Sequence, residues 1–277
     1  MHPAHAEPAT AVPLRCRALA LWLEPDPATK VAQTRVLWAE RDRHPLDPGQ
    51  MGVDAASTPK PLQAPGRPVR PGLVAPRSVP SRTPFTLEGR AALLHSIAHI
   101  EFNAINLALD AIWRFDAMPT QFYVDWLQVA GEEALHFSLL REHLGTIGFD
   151  YGDFDAHDGL WLMTQRTADD VVARMALVPR TLEARGLDAT PPLQAKFKQA
   201  GDPRAVEILA IILRDEIGHV AIGNRWYRWL CEQRALDPVA HYTLLAQRHQ
   251  APRPRPPFNH EARRAAGFTD EEVALLR

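Results

Sequence analysis

Two short patterns in the chain have the residue types and spacing for metal chemistry. Glu133-Ala134-Leu135-His136 and Glu216-Ile217-Gly218-His219 are both Glu-x-x-His. On a helix, positions i and i+3 share a face, so both side chains can reach one ion or flank a pair. A further glutamate precedes each motif: Glu101 stands 32 residues before Glu133, and Glu183 stands 33 before Glu216. One Glu from each of two helices, with one Glu-x-x-His from each of two others, is the donor set of a di-iron or di-manganese carboxylate site in a helix bundle. Metal-bound histidines donate their other N–H to a carboxylate or carbonyl. Asp215 and Glu132, each just before a motif glutamate and four residues before a motif histidine, are the candidates, Asp215 the better one.

Such a site needs four helices that turn these residues inward. Apolar periodicity predicts helix 1 over Thr86–Phe115, with the stripe Leu94, Ile97, Ala98, Glu101, Ile105, Ala108, Ile112. Helix 2 is expected over Thr120–Leu144, with Glu133 and His136 on the stripe of Phe122, Trp126, Val129 and Leu140. Helix 3 is expected over Thr167–Arg185, stopped by Gly186 and disturbed by Pro179. Helix 4 runs over Asp202–Arg234, with Asp202 as N-cap and Pro203 at the first turn. Glu216 and His219 lie on its stripe with Leu209, Ile212, Val220 and Trp226. The core thus receives four glutamates and two histidines, with no lysine or arginine on the stripes. Buried carboxylates without counter-charge are costly, and a metal pair supplies the missing positive charge.

The expected fold is all-α: a ferritin-like four-helix bundle of two helical hairpins with a long crossover at 145–166, plus N- and C-terminal extensions. In the first hairpin Glu101 and Glu133 stand about 14 residues from the connecting turn, so both lie at one depth, ~20 Å along the axis. The second hairpin fits less well. Glu183 lies just before Gly186, so the link 187–201 has to run back roughly 15 Å along the bundle. The expected divisions are 1–85, 86–234 and 235–277. Residues 1–85 hold 15 of the 25 prolines. Short helices fit Leu14–Leu23 and Ala28–Arg43, and 44–84 reads as an extended Pro-rich strap, either lying on the core or disordered. After Pro238 come a short helix, the break APRPRPP, and a last helix near Thr269.

The other residue types narrow the function. In 277 residues, 46% hydrophobic and 23% charged, there are two cysteines, Cys16 and Cys231. That excludes a disulfide framework and a Cys-rich zinc or iron–sulfur site. Gly-x-Gly-x-x-Gly and Gly-Lys-Ser/Thr phosphate loops are absent. No apolar run approaches a membrane span, and the start of the chain lacks a secretion-signal pattern. A cytoplasmic protein with no membrane contact is expected. His95 and His99 read as ordinary partly buried histidines, with extra ligands or proton carriers as the alternative; Trp126 and Tyr227 read as packing residues, with electron relay or guarding the metal as the alternative. His157 and Asp158 read as turn caps. The Tyr151–Trp161 stretch is either a lid or a crossing connection.

The stretch His99-Ile100-Glu101 through Glu133-x-x-His136 to Asp215-Glu216-Ile217-Gly218-His219 resembles a ferritin-like family catalogued as a domain of unknown function. Leu109–Phe115, Tyr151–Phe154, His157–Trp161, Leu182–Asp188 and Pro257–Asn259 share in the resemblance. It covers about residues 14–277, and is similar at greater distance to the di-iron tRNA hydroxylase acting on isopentenyl-type adenosine. The resemblance implies a ferritin-like bundle and a dinuclear site, without a substrate.

Carboxylates with imidazoles and no thiolate suit two iron ions, or manganese. The expected activity is therefore that of an oxygen-dependent oxidoreductase, a hydroxylase or oxidase, using molecular oxygen and a separate reductase. The alternatives are a ferroxidase or peroxide-scavenging iron protein, and a non-catalytic metal-binding or scaffold protein. Extensions beyond the bundle favour the first. For a tRNA substrate the charge is unfavourable. Residues 86–233 carry 13 Lys+Arg against 21 Asp+Glu, about −8, and only the extensions are basic. A small-molecule substrate fits at least as well.

Overall fold

The computed structural model describes residues 12–44, 64–80 and 82–276. It is all-helical, with one isolated bridge, Leu73 with Ala156, among the described residues. Two antiparallel hairpins make a four-helix bundle. The first joins α3 (Leu87–Arg114) to α4 (Thr120–Thr146). The second joins a long composite helix to α8 (Pro203–Gln233). Helices α1 (Leu14–Leu23) and α2 (Pro27–Ala39) lie against α3 and α4, and α5 (Gly159–Arg166) sits in the crossover.

Most boundaries follow from capping. The Thr86 hydroxyl accepts from the Gly89 N–H, and the Asp202 carboxylate from the Ala205 N–H, so both long helices start on side-chain caps. Arg15 closes the other end of α3, donating to the carbonyls of Ile112 (3.3 Å) and Trp113 (2.9 Å). Phe102 and Phe137 meet across the α3–α4 seam with ring centroids 5.5 Å apart. Burying side chains of this size stabilises by about 1.5–3 kcal/mol each.

The second hairpin differs from the sequence expectation in a way that matters for the site. Its first arm does not end at Gly186. It runs as α6 (Val171–Leu177), a π-helical turn (Val178–Glu183) and α7 (Ala184–Gln199) without a break. The link 187–201 therefore does not run back along the bundle; it is mostly helix. Glu183 stands 16 residues before Gln199 and Glu216 stands 13 after Pro203. Both are then ~20–24 Å from the turn, and the mismatch of depth disappears. Pro191 and Pro192 lie inside α7. Pro191 has no N–H for the Leu187 carbonyl, which accepts instead from Asn259 Nδ2 at 3.3 Å. Support from outside the helix thus replaces the lost bond.

The π turn has its own causes. Pro179 cannot donate to the preceding turn, and the Thr181 hydroxyl donates to the Ala176 carbonyl at 2.8 Å. Gly223 on α8 lets this turn lie flush: a Cβ there would fall 2.5 Å from Cβ of Pro179. Helices α9 (Pro238–Arg248), α10 (His260–Ala265) and α11 (Asp270–Ala274) then cover the second hairpin. Arg263 pairs with Asp188 at 2.6 Å, and Arg180 pairs with Glu272.

Residues 64–80, part of the expected strap, lie on the bundle. The Gly66 N–H donates to the Trp22 carbonyl at 2.9 Å. Any Cβ at Gly66 would fall 2.0 Å from the Leu23 oxygen, so only glycine allows this approach. The Lys30 ammonium ties three elements together through the carbonyls of Trp22 and Gly66 and the Asn106 side chain. Residues 45–63 of the expected strap lie outside the described residues. The expected long crossover 145–166 contains α5, whose Trp161 is buried 5.9 Å from the Trp22 ring. Among the described residues no helix is long and apolar enough to cross a membrane.

Candidate metal centre

The two hairpins bring all six sequence-predicted donors into the core. Glu101 of α3, Glu133 and His136 of α4, Glu183 of the π turn, and Glu216 and His219 of α8 are each at most 7% exposed. Glu133 stands in the middle. Its Oε2 lies 3.2 Å from His136 Nδ1, and its Oε1 lies 3.0 Å from His219 Nδ1. Glu101 Oε2 reaches His136 Nδ1 at 3.1 Å, and Glu216 Oε1 lies 3.8 Å from His219 Nδ1. One donor atom from each of Glu101, Glu133, His136 and Glu216 falls within 4.8 Å of all the others. Buried Glu/His groups at this spacing could hold a metal ion. Glu183 is outside that tight set of four and beside it, where the charges of Glu216 and Glu133 act on it.

The electrostatics show what the protein leaves undone. Burial raises the carboxyls of Glu101, Glu183 and Glu216 above the ordinary carboxylate range, and neighbouring carboxylates raise them further. Burial would raise Glu133 too, but the His219 and His136 imidazoles outweigh it and hold Glu133 below the usual range. Burial favours neutral His136 and His219, yet the carboxylates on both sides push both above the ordinary imidazole value. The ion-pair partners of Glu101, Glu133 and Glu216 are these two histidines. Two imidazoles therefore face four carboxylates.

Three buried oxygens in this space have no hydrogen-bond partner: both of Glu183 and Oε2 of Glu216. Each is an electron-pair donor or can be one. Leaving such atoms buried and unpaired costs about 1–3 kcal/mol apiece. A cation is the group they fit.

The outer carboxylates are both present, but they cross over. Asp215 of α8 reaches His136 of α4, Oδ2 to Nε2 at 3.1 Å. Glu132 of α4 reaches His219 of α8, Oε2 to Nε2 at 2.7 Å. Each imidazole extends from its own helix across the seam, so its far nitrogen meets the flank of the neighbouring helix rather than a residue four positions back. With Nε2–H given to a carboxylate, the neutral tautomer leaves the Nδ1 lone pair aimed inward. Behind these carboxylates stand two residues the sequence reading missed. Gln128 Nε2 donates to Glu132 Oε1 at 3.0 Å, and Arg214 donates to both oxygens of Asp215 at 2.8 and 3.0 Å. The i,i+4 spacing of Gln128 and Glu132 is a signal that could have found the first.

Other candidate residues fall elsewhere. His99 Nδ1 contacts the Tyr151 hydroxyl at 2.9 Å, and His95 Nε2 accepts from the Gly152 N–H at 2.9 Å. Burial pushes these imidazoles down, to about 3 for His99 and about 4 for His95. Tyr151 packs on the rings of Phe102 and Phe137, with centroids 5.6 and 4.9 Å away. His157 Nδ1 accepts from the Gly159 N–H at 3.2 Å, as a turn cap, while Asp158 pairs with Arg67 at 2.8 Å. Trp126 is buried in the core, and the Tyr227 hydroxyl donates to the Pro238 carbonyl.

The fold and the site together define a helical-bundle protein with a buried Glu/His cluster able to hold metal. The chain belongs to the family described as "Protein of unknown function (DUF455)", whose family model matches residues 23–274. It is 56% identical over 213 residues to an uncharacterised protein of Haemophilus influenzae (strain ATCC 51907 / DSM 11121 / KW20 / Rd), covering 74% of each chain. No solved structure matches it.

Proposed function

We propose that the protein is a ferritin-like, non-haem dinuclear carboxylate protein that holds two iron ions, with manganese as the other candidate, and acts as an oxygen-dependent oxidoreductase on a small molecule. The observation that carries this reading is the buried carboxylate excess, with both oxygens of Glu183 unpartnered. Four carboxylates balance the charge of two divalent ions, and an oxygen-and-imidazole donor set suits iron or manganese.

Glu101 and His136 would hold one ion, Glu183, Glu216 and His219 the other, with Glu133 offering one oxygen to each side. When bound, a ferrous pair supplies electrons to molecular oxygen for the oxidation of a substrate bond. The chain's own residues keep the imidazoles fixed. Asp215 and Glu132 hold the Nε2 protons, so that the rings neither rotate nor lose their tautomer. The surrounding apolar side chains exclude bulk water, which strengthens each charge interaction inside. The sequence carries no flavin or iron–sulfur motif, so catalytic turnover calls for a separate reductase.

The test is metal analysis of protein purified without added metal, then anaerobic Fe(II) loading and exposure to oxygen. About two irons per chain, with oxygen consumption lost in Glu133→Ala and Glu216→Ala, support the reading. Rapid oxidation of many further Fe(II) ions per chain indicates a ferroxidase instead. Failure of iron or manganese to bind, with no oxygen consumption, rules the reading out.

A further inference from the structure

The two halves of the centre present their imidazoles alike, but differ in what stands behind them. Inside, each has one imidazole with Nδ1 toward the carboxylates and Nε2 toward an outer carboxylate. Outside, Asp215 is clamped by the guanidinium of Arg214, itself 70% exposed, through two hydrogen bonds. Glu132 is hydrogen-bonded on its other oxygen by the neutral carboxamide of Gln128, and the Arg214 charge acts on it without a hydrogen bond.

The difference follows from the internal repeat. Arg214 precedes Asp215 at the position where Gly131 precedes Glu132. Gly131 has no room for a side chain, because a Cβ there would lie 2.7 Å from the Trp38 ring of α2. Helix α2 thus prevents the first motif from carrying the cation that the second one carries. Arg35 lines the same surface groove as Glu132, but the groups bonded to Glu132 are His219 and Gln128.

A carboxylate that accepts a proton from a metal-bound imidazole increases the donor strength of the other ring nitrogen. A bidentate guanidinium draws charge away from such a carboxylate and weakens its pull. The contact lengths agree: 2.7 Å from Glu132 to His219 against 3.1 Å from Asp215 to His136.

We propose that the two metal positions are unequal: the one beside His219 binds more tightly and fills first, while Arg214, acting through Asp215 and His136, weakens the other and makes it the exchangeable one. Arg214 is a positioning residue in this scheme, since it touches neither metal nor substrate. The inference rests on the two-metal reading above.

The experiment is an anaerobic calorimetric titration of the full-length metal-free protein with Mn(II), repeated with Co(II) while following its visible absorption. Wild type is expected to show two steps separated by at least about tenfold, and Glu132→Gln to weaken the first by roughly 10–100-fold, the usual effect of losing an outer-shell partner. Arg214→Met is expected to tighten chiefly the second step, by a factor of up to about 5, and Arg214→Lys to restore part of the gap. Two ions bound in indistinguishable steps overturn the inference and leave the metal reading standing. The inference also fails if Arg214→Met moves neither step, or moves both equally. No binding of Mn(II), Co(II) or Fe(II) by wild type overturns both.

Discussion

Helix α3 buries two carboxylates nine residues apart, Glu101 and Asp110, and treats them in opposite ways. Asp110 is closed by the protein itself. Arg114 donates to both of its oxygens at 2.7–3.0 Å, and Arg174 adds a second cation at 2.5 Å. The rest of the Arg174 guanidinium is used on Thr167 and the Thr164 carbonyl. Glu101, at nearly the same burial, faces an imidazole and other carboxylates. One helix thus contains both a completed buried ion cluster and one that lacks cations. The deficit at Glu101 is local, and it coincides with the doubled Glu-x-x-His pattern.

The largest effect should come from breaking the completed cluster. Arg174→Met leaves Asp110 short of a buried partner and is expected to cost about 3–5 kcal/mol, read from urea unfolding. Next, metal should stabilise only the open cluster. At a hundredfold excess over Kd, Fe(II) or Mn(II) adds about 2.7 kcal/mol for each site filled, seen as a rise in Tm that Glu133→Gln abolishes and Arg214→Met retains.

A third polar position on the same helix, His99, sharpens the contrast through pH. Burial, with Arg67 and His95 adding to it, lowers its folded value from 6.5 to about 3. Between those values the unfolded chain binds the proton and the folded chain does not, so stability falls as pH falls. Above 6.5 the group contributes no pH dependence. His99→Gln should flatten this acid limb by about 1.4 kcal/mol per pH unit, measured by denaturant unfolding at pH 4–6. The smallest effect belongs to Glu101→Gln in metal-free protein. Its carboxyl is already pushed toward the neutral form, so stability should change by less than about 1 kcal/mol. A loss as large as that of Arg174→Met would make Glu101 an ordinary structural ion pair.

Helices α3, α4 and α8 were legible because each carries a sustained apolar stripe, and the six inward donors because they interrupt such stripes at helical spacing. The composite helix was not. Gly186 and the Pro191–Pro192 pair are strong local stop signals, and what overrides them comes from far along the chain: Asn259 on the Leu187 carbonyl and Arg263 on Asp188. The crossed pairing of Glu132 and Asp215 was hidden for a similar reason. Spacing along one helix says which residues share a face, but only the seam between two helices says which imidazole each carboxylate meets.

The clasp on the second hairpin also bears on the order in which the protein is made. The first hairpin has its caps and both of its apolar faces once residue 146 has been synthesised. The π turn that carries Glu183 has Arg180 bound to Glu272, and α7 just beyond it has Asp188 bound to Arg263. Until those residues emerge from the ribosome, two charges of the second hairpin lack their partners. Residues 259–272 therefore act as a latch: the half of the centre that holds Glu183 leans on partners 75–92 residues further along the chain, whereas the helices of Glu101, Glu133 and His136 are complete by residue 146.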